Sequence, residues 1–132
     1  ADCTVEQMKL ADTDMVLLPG GLGGVHSIMA SETAMNFIRL AYEKNCLIAA
    51  ICAAPTILAS LHITDGRRAT CYPGLEDQMD AAKMIPCGAV QDGNVITGRA
   101  AGSADEFGLA CLRALKGEDT ARQVASDIVY RA

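Results

Sequence analysis

Cys52 is the residue in this chain best placed to do chemistry. It follows the apolar run Cys46-Leu47-Ile48-Ala49-Ala50-Ile51 and precedes Ala53-Ala54-Pro55. The run reads as a strand that is apolar on both faces, as in a central parallel strand covered by helices on each side. Pro55 stops the strand, and a helix-compatible segment continues to about Leu61. Strand, sharp turn and helix put Cys52 at a corner, and Ala50 and Ala54 are small enough to let the chain turn tightly. This is the geometry of a nucleophile elbow, with Cys where G-x-S-x-G hydrolases carry Ser. N–H groups at the start of the following helix are expected to face the sulfur and favour thiolate over thiol. The competing reading of any lone cysteine is a buried packing residue.

Other residues read as support for the corner. Pro19-Gly20-Gly21-Leu22-Gly23-Gly24 follows the short strand Met15–Leu18, and its N–H groups could meet a phosphate or an oxyanion. It fits neither the G-x-G-x-x-G nor the Walker spacing, which argues against a nucleotide. His26 and His62 are isolated, no close Cys/His pair exists, and a zinc site is not expected. Cys3, Cys46, Cys52, Cys71, Cys87 and Cys111 show no paired or C-x-x-C spacing, which favours reduced thiols in a reducing compartment.

The elements that must position these residues alternate. A helix opens at Ser31 and runs to about Lys44, with Ala34, Phe37, Ile38 and Ala41 on one face. Arg68–Cys71 reads as a short strand and Leu75 to about Lys83 as helical. Cys87–Val90 and Asn94–Thr97 form a hairpin around Gln91-Asp92-Gly93. Ser103 with Glu106 has the capping-box spacing at the start of a helix to about Leu115, and a last helix spans about Asp119 to Ile128. A possible capping box at Thr4 and Gln7 opens a short helix to about Leu10. Strands alternating with helices imply an α/β sandwich with a mostly parallel sheet, in one domain over residues 1–132. Ligands in such sheets bind beyond the carboxyl ends of the strands. There the loops Pro19–Gly24, Cys52–Pro55, Cys71–Gly74 and Gly98–Gly102 are expected to converge on one pocket.

The chain has 132 residues, is 51% hydrophobic and 20% charged, and carries a net charge of −5, which argues against a nucleic-acid partner. No apolar run is long enough to cross a bilayer, and no signal segment is evident, so a soluble, cytoplasmic protein is expected. With no Trp and few aromatics, a stacked flavin is not expected either. The chain lacks an initiator Met and starts on a polar segment, from which residues upstream are expected.

Four segments together resemble the ThiJ/PfpI superfamily, and within it the branch of the Parkinsonism-associated protein deglycase and its bacterial relatives. They are Leu18-Pro19-Gly20-Gly21, Ile48 to Thr56 around Cys52, Ala69-Thr70-Cys71-Tyr72-Pro73-Gly74, and Thr97 to Ser103 with Asp105-Glu106-Phe107. The resemblance implies a flavodoxin-like three-layer fold and a homodimer. It makes Cys52 the reactive cysteine, prone to oxidation to sulfinate, and the Gly21 and Ala53 N–H groups its oxyanion hole. Gly20, Tyr72 and Arg99 would line the substrate pocket. The activity implied is a cofactor-independent glyoxalase or deglycase acting on small 2-oxoaldehydes; the alternative is an oxidative-stress sensor or chaperone without turnover. Three departures qualify this. The family's first strand and helix, with an acid/base Glu, have no counterpart; either a separate N-terminal polypeptide supplies them or they were lost. Tyr72 stands where other members carry His, which weakens a peptidase reading. Arg99-Ala100-Ala101-Gly102 replaces Arg-Gly-Pro-Gly.

Overall fold

A computed structural model describes residues 1–131. The chain opens with two 3₁₀ turns, Val5–Gln7 and Leu10–Asp12, in place of the expected short helix. The Gln7 side chain accepts the Thr4 N–H at 2.9 Å. Then come β1 (Met15–Leu18), α1 (Leu22–Ala30), α2 (Glu32–Glu43), β2 (Leu47–Ile51) and α3 (Pro55–Ser60). The second half contains β3 (Arg68–Ala69), β4 (Lys83–Met84), β5 (Ala89–Asp92), β6 (Val95–Gly98), α4 (Ala104–Lys116) and α5 (Glu118–Asp127).

The main sheet has four strands in the order β1-β2-β6-β5, with β1 and β6 parallel to β2 and β5 antiparallel to β6. β2 is therefore interior, and its side chains alternate between two cores. Ile48 and Ala50 pack with Ile38, Ala41, Ile57 and Leu58 from α2 and α3. Ala49 faces the other way, with Ile96 and with Phe107 and Cys111 from α4. Helices thus cover both faces, as the apolar Cys46–Ile51 run implied. Full burial of Ile48, Ile57 and Leu58 stabilises the layers by about 1.5–3 kcal/mol each.

Several local expectations are corrected. The glycine loop is shorter than expected, because Leu22 already begins α1. Gly23 and Gly24 lie in its first turn with open space where a Cβ would sit, and Val25 and Ile28 give the helix its core contacts. Apolar packing there outweighs the poor helix propensity of glycine, about 1 kcal/mol per residue. β3 pairs with β4 in a separate parallel two-stranded sheet and not with the main one. The Leu75–Lys83 segment is one 3₁₀ stretch, Glu76–Met79, followed by β4. The hairpin loop is Gly93-Asn94, with Asp92 still paired to Val95 and Gly93 at φ +63°. Ser103 and Glu106 form no capping box; the Glu106 carboxylate instead packs beside Gly88, where a Cβ would collide with it. The helix at Ser31 is as expected, with the Ser31 hydroxyl accepting the Ala34 N–H at 3.1 Å.

Candidate active site

The corner after β2 is built from backbone bonds. Cys52 has φ +67°, a left-handed conformation that costs a non-glycine residue about 1–2 kcal/mol. It persists because its surroundings fix it from several sides. The Cys52 N–H donates to Gly98 O at 3.0 Å, and the Cys52 carbonyl accepts the Tyr72 N–H at 2.8 Å. Ala54 N–H closes the turn on Ile51 O at 3.1 Å. Pro55 supplies the first residue of α3 with its φ preset, and the Thr56 hydroxyl donates to Ala53 O at 2.6 Å.

The β1 loop closes over this corner. A Cβ on Gly20 would lie 2.5 Å from the Cys52 Cβ, 2.9 Å from Ile51 O and 3.2 Å from the Cys52 sulfur. Close backbone approach therefore belongs to Gly20, not to Gly23 or Gly24. Gly21 takes φ +94°, a conformation suited to glycine, and so turns the chain into α1. Neither the Gly21 nor the Ala53 N–H is taken by a backbone carbonyl among the described residues. The expectation of a helix end aimed at the sulfur is corrected in part. Pro55 has no N–H, and the Ala54 and Thr56 N–H groups already donate to Ile51 O and Ala53 O. Of these positions only the Ala53 N–H is left to face a ligand.

A pocket of about 340 Å³ opens at the corner, lined by Gly21, Leu22, Cys52, Ala53, Tyr72, Pro73, Gly74 and Leu75. Cys52 itself is half-buried. The wall carrying Tyr72 is pinned in two places: the Tyr72 N–H on Cys52 O, and the Thr70 N–H on the buried Thr97 hydroxyl at 2.9 Å. Tyr72 is 49% exposed, so its ring is both wall and rim. Three of the four loops named from the sequence meet here. The fourth does not deliver Arg99, which lines a separate cleft with Thr70, Cys71, Glu76, Met84, Ile85 and Pro86. Gly98, one residue earlier, is spent on supporting Cys52, so the chain has already turned away by Arg99.

Leu22, within the expected Pro19–Gly24 loop, and Leu75, just past the Cys71–Gly74 loop, are pocket residues not singled out from the sequence. Their only signal was position, each beside a glycine that ends a strand or a turn. The Glu76 carboxylate accepts the Gly74 N–H at 2.7 Å and holds that rim in place. No carboxylate or imidazole lines the pocket among the described residues, and they contain no cluster of His, Cys, Asp or Glu able to hold a metal. Two of the other thiols are shifted by burial. Burial pushes the Cys111 thiol up to about 11. Burial, followed by the charges of Glu76, Asp77 and Cys52, pushes Cys71 up to about 11. No helix among the described residues is long and apolar enough to cross a membrane.

A mostly parallel sheet covered on both faces, with a strained cysteine at the end of its interior strand and a small pocket above it, defines an α/β protein with a cysteine elbow. The chain belongs to the DJ-1/PfpI family, whose model matches residues 1–114. It is 38% identical to Protein DJ-1alpha of Drosophila melanogaster over 95% of this chain and 58% of that protein, so it spans little more than half of that relative. The crystal structure of Drosophila melanogaster DJ-1beta superposes with a TM-score of 0.90 at 35% identity, over 98% of this chain and 70% of the other. The structure of Toxoplasma gondii DJ-1, oxidized, superposes with a TM-score of 0.90 at 26% identity, over 100% of this chain and 72% of the other.

Proposed function

We propose that this chain carries the cysteine half of a glyoxalase- or deglycase-type site for methylglyoxal-like 2-oxoaldehydes, free or as adducts. The observation that carries this reading is the placement of Cys52: left-handed, half-buried, at the mouth of a small, mostly apolar pocket. The thiolate would add to the aldehyde carbon, and the N–H groups of Gly21 and Ala53 would stabilise the oxyanion formed. Moving the proton from that carbon to the neighbouring ketone carbon turns the hemithioacetal into a lactoyl thioester, which water hydrolyses to lactate and free Cys52. That transfer needs a base, and no residue lining the pocket supplies one. We therefore assign the acid/base Glu to a segment outside residues 1–132, either a separate polypeptide or more of the same protein. Tyr72 would wall the bound aldehyde. The chemistry uses no cofactor, and the resemblance extends the proposal to a cytoplasmic homodimer.

A second reading is favoured by the same half-buried thiol at the pocket mouth: Cys52 as an oxidation sensor or stress chaperone, its sulfur oxidised by peroxide to sulfinate without turnover. That a relative's structure is of an oxidized form supports it. Lactate production from methylglyoxal separates the two. The glyoxalase reading expects turnover that Cys52→Ser abolishes, with the denatured intact mass showing whether a Glu-bearing polypeptide accompanies the chain. A Cys52→Ser protein with full turnover would sink it. No turnover even with that polypeptide present, together with preferential peroxide modification of Cys52, would leave the sensor.

A further inference from the structure

The backbone that carries a second thiol, Cys71, is bonded to the Cys52 carbonyl through the next residue. The Tyr72 N–H that donates to Cys52 O at 2.8 Å belongs to the peptide joining Cys71 to Tyr72. In a trans peptide the preceding Cα lies on the same side as the N–H. Standard bond lengths then put the Cα atoms of Cys71 and Cys52 about 4–6.5 Å apart, a range that overlaps the roughly 4.4–6.8 Å span of a disulfide. The two sulfurs differ in access. Cys71 is 3% exposed and faces the cleft shared with Thr70 and Arg99, whereas Cys52 lines the open pocket. The Cys71 sulfur donates to Tyr72 O at 3.4 Å and must leave that bond to reach Cys52; Cys46 donates to Thr13 O at 3.3 Å, Cys87 to Ala89 O at 3.3 Å, and Cys111 lies in the core under α4. Burial and the neighbouring negative charges keep the Cys71 thiol protonated, so it is a poor first target for an oxidant.

The geometry points to Cys71 as the resolving thiol of Cys52. A peroxide, ROOH, gives its terminal oxygen to the Cys52 thiolate: the S–O bond forms, the O–O bond breaks and RO⁻ leaves. The Cys71 sulfur then attacks the Cys52 sulfur of the sulfenic acid. The S–S bond forms, the S–O bond breaks, and the departing hydroxide leaves with the Cys71 proton as water. The peroxide is reduced by two electrons and the thiol pair is oxidised by two. Closing the bridge requires the Cys52 sulfur to turn from the pocket toward Cys71. The disulfide would hold the Cys52–Cys71 pair at the two-electron level and keep Cys52 from sulfinate, and a small dithiol would restore both thiols.

This inference rests on Cys52 being the peroxide-reactive thiol, and one experiment separates its failure from the failure of that reading. The reduced full chain is treated with one equivalent of hydrogen peroxide, alkylated and mapped by peptide mass. The expected result is a Cys52–Cys71 cross-linked peptide lighter by two hydrogens. With excess peroxide, Cys71→Ala is expected to accumulate several-fold more Cys52 sulfinate than wild type. Oxidised Cys52 with Cys71 still open to alkylation after denaturation, or a bridge to Cys87 instead, would overturn the inference alone. Unmodified Cys52 would overturn both it and the sensor reading. The wild-type map decides the matter even if the variant does not fold.

Discussion

Gly20 lies hard against Cys52: a Cβ at position 20 would be 2.5 Å from the Cys52 Cβ and 2.9 Å from Ile51 O. One of those atoms is backbone in an interior strand, and the other belongs to a residue held in a left-handed corner. Neither yields cheaply. Gly20→Ala is expected to destabilise the fold by about 1–3 kcal/mol, the usual range for overpacking. It is also expected to slow alkylation of Cys52 by iodoacetamide more than alkylation of exposed Cys3. Urea midpoints and per-residue alkylation rates check both. A Gly20→Ala protein with wild-type stability would show that the loop does not press on Cys52 as the backbone implies.

The strain at Cys52 is measurable by comparing two variants that both lack the thiol. Cys52→Ala keeps a Cβ at φ +67°, while Cys52→Gly removes it. The glycine variant is expected to be the more stable by about 1 kcal/mol, because relief of left-handed strain exceeds the entropic cost of glycine. If the protein turns over methylglyoxal through Cys52, both variants are expected to lose that turnover. Chemical denaturation of the pair gives the difference directly.

Much of this was legible in the sequence, and what was not has physical reasons. The interior strand, the corner and the helix at Ser31 announced themselves through an unbroken apolar run, small residues and a capping side chain. Those are local signals, and the sheet satisfies them. Helix α1 starts earlier than the loop Pro19–Gly24 implied, because Gly23 and Gly24 read as loop whereas Val25 and Ile28 pack into the core and outweigh them. The Ser103–Glu106 spacing promised a capping box, but tertiary packing beside Gly88 claimed the Glu106 side chain. Arg99 was expected at the pocket from the resemblance, on a loop that follows a strand there. Sequence proximity could not say which side of Gly98 the chain would leave on.

Alkaline pH should weaken the fold through the buried thiols. Burial raises Cys71 and Cys111 from the usual 9.0 to about 11. The unfolded chain releases these protons at lower pH than the folded one does. Their contribution to stability is therefore whole below about pH 9 and is lost as pH rises toward 11. Urea midpoints from pH 8 to 10.5 are expected to fall. Cys111→Val, which removes one of the titrating groups and keeps the site apolar, is expected to fall less steeply. Equal slopes for the two proteins would mean that Cys111 does not titrate differently on unfolding.

Tyr72 and Arg99 stand on opposite sides of a simple functional test. Tyr72 walls the Cys52 pocket, whereas Arg99 lines the cleft beyond Cys71. If Cys52 turns over a small aldehyde in its pocket, Tyr72→Ala removes apolar wall and is expected to raise KM several-fold, consistent with a lost contact of about 1 kcal/mol. Alkylation of Cys52 would persist, because the Tyr72 backbone N–H still holds the Cys52 carbonyl. Arg99→Ala is expected to leave KM, kcat and Cys52 alkylation unchanged, since its side chain is exposed and outside the pocket. Steady-state kinetics on the two variants decide it. A large KM effect at Arg99 with none at Tyr72 would mean that the substrate reaches the second cleft, and that the reacting pocket extends past Gly98 to include it.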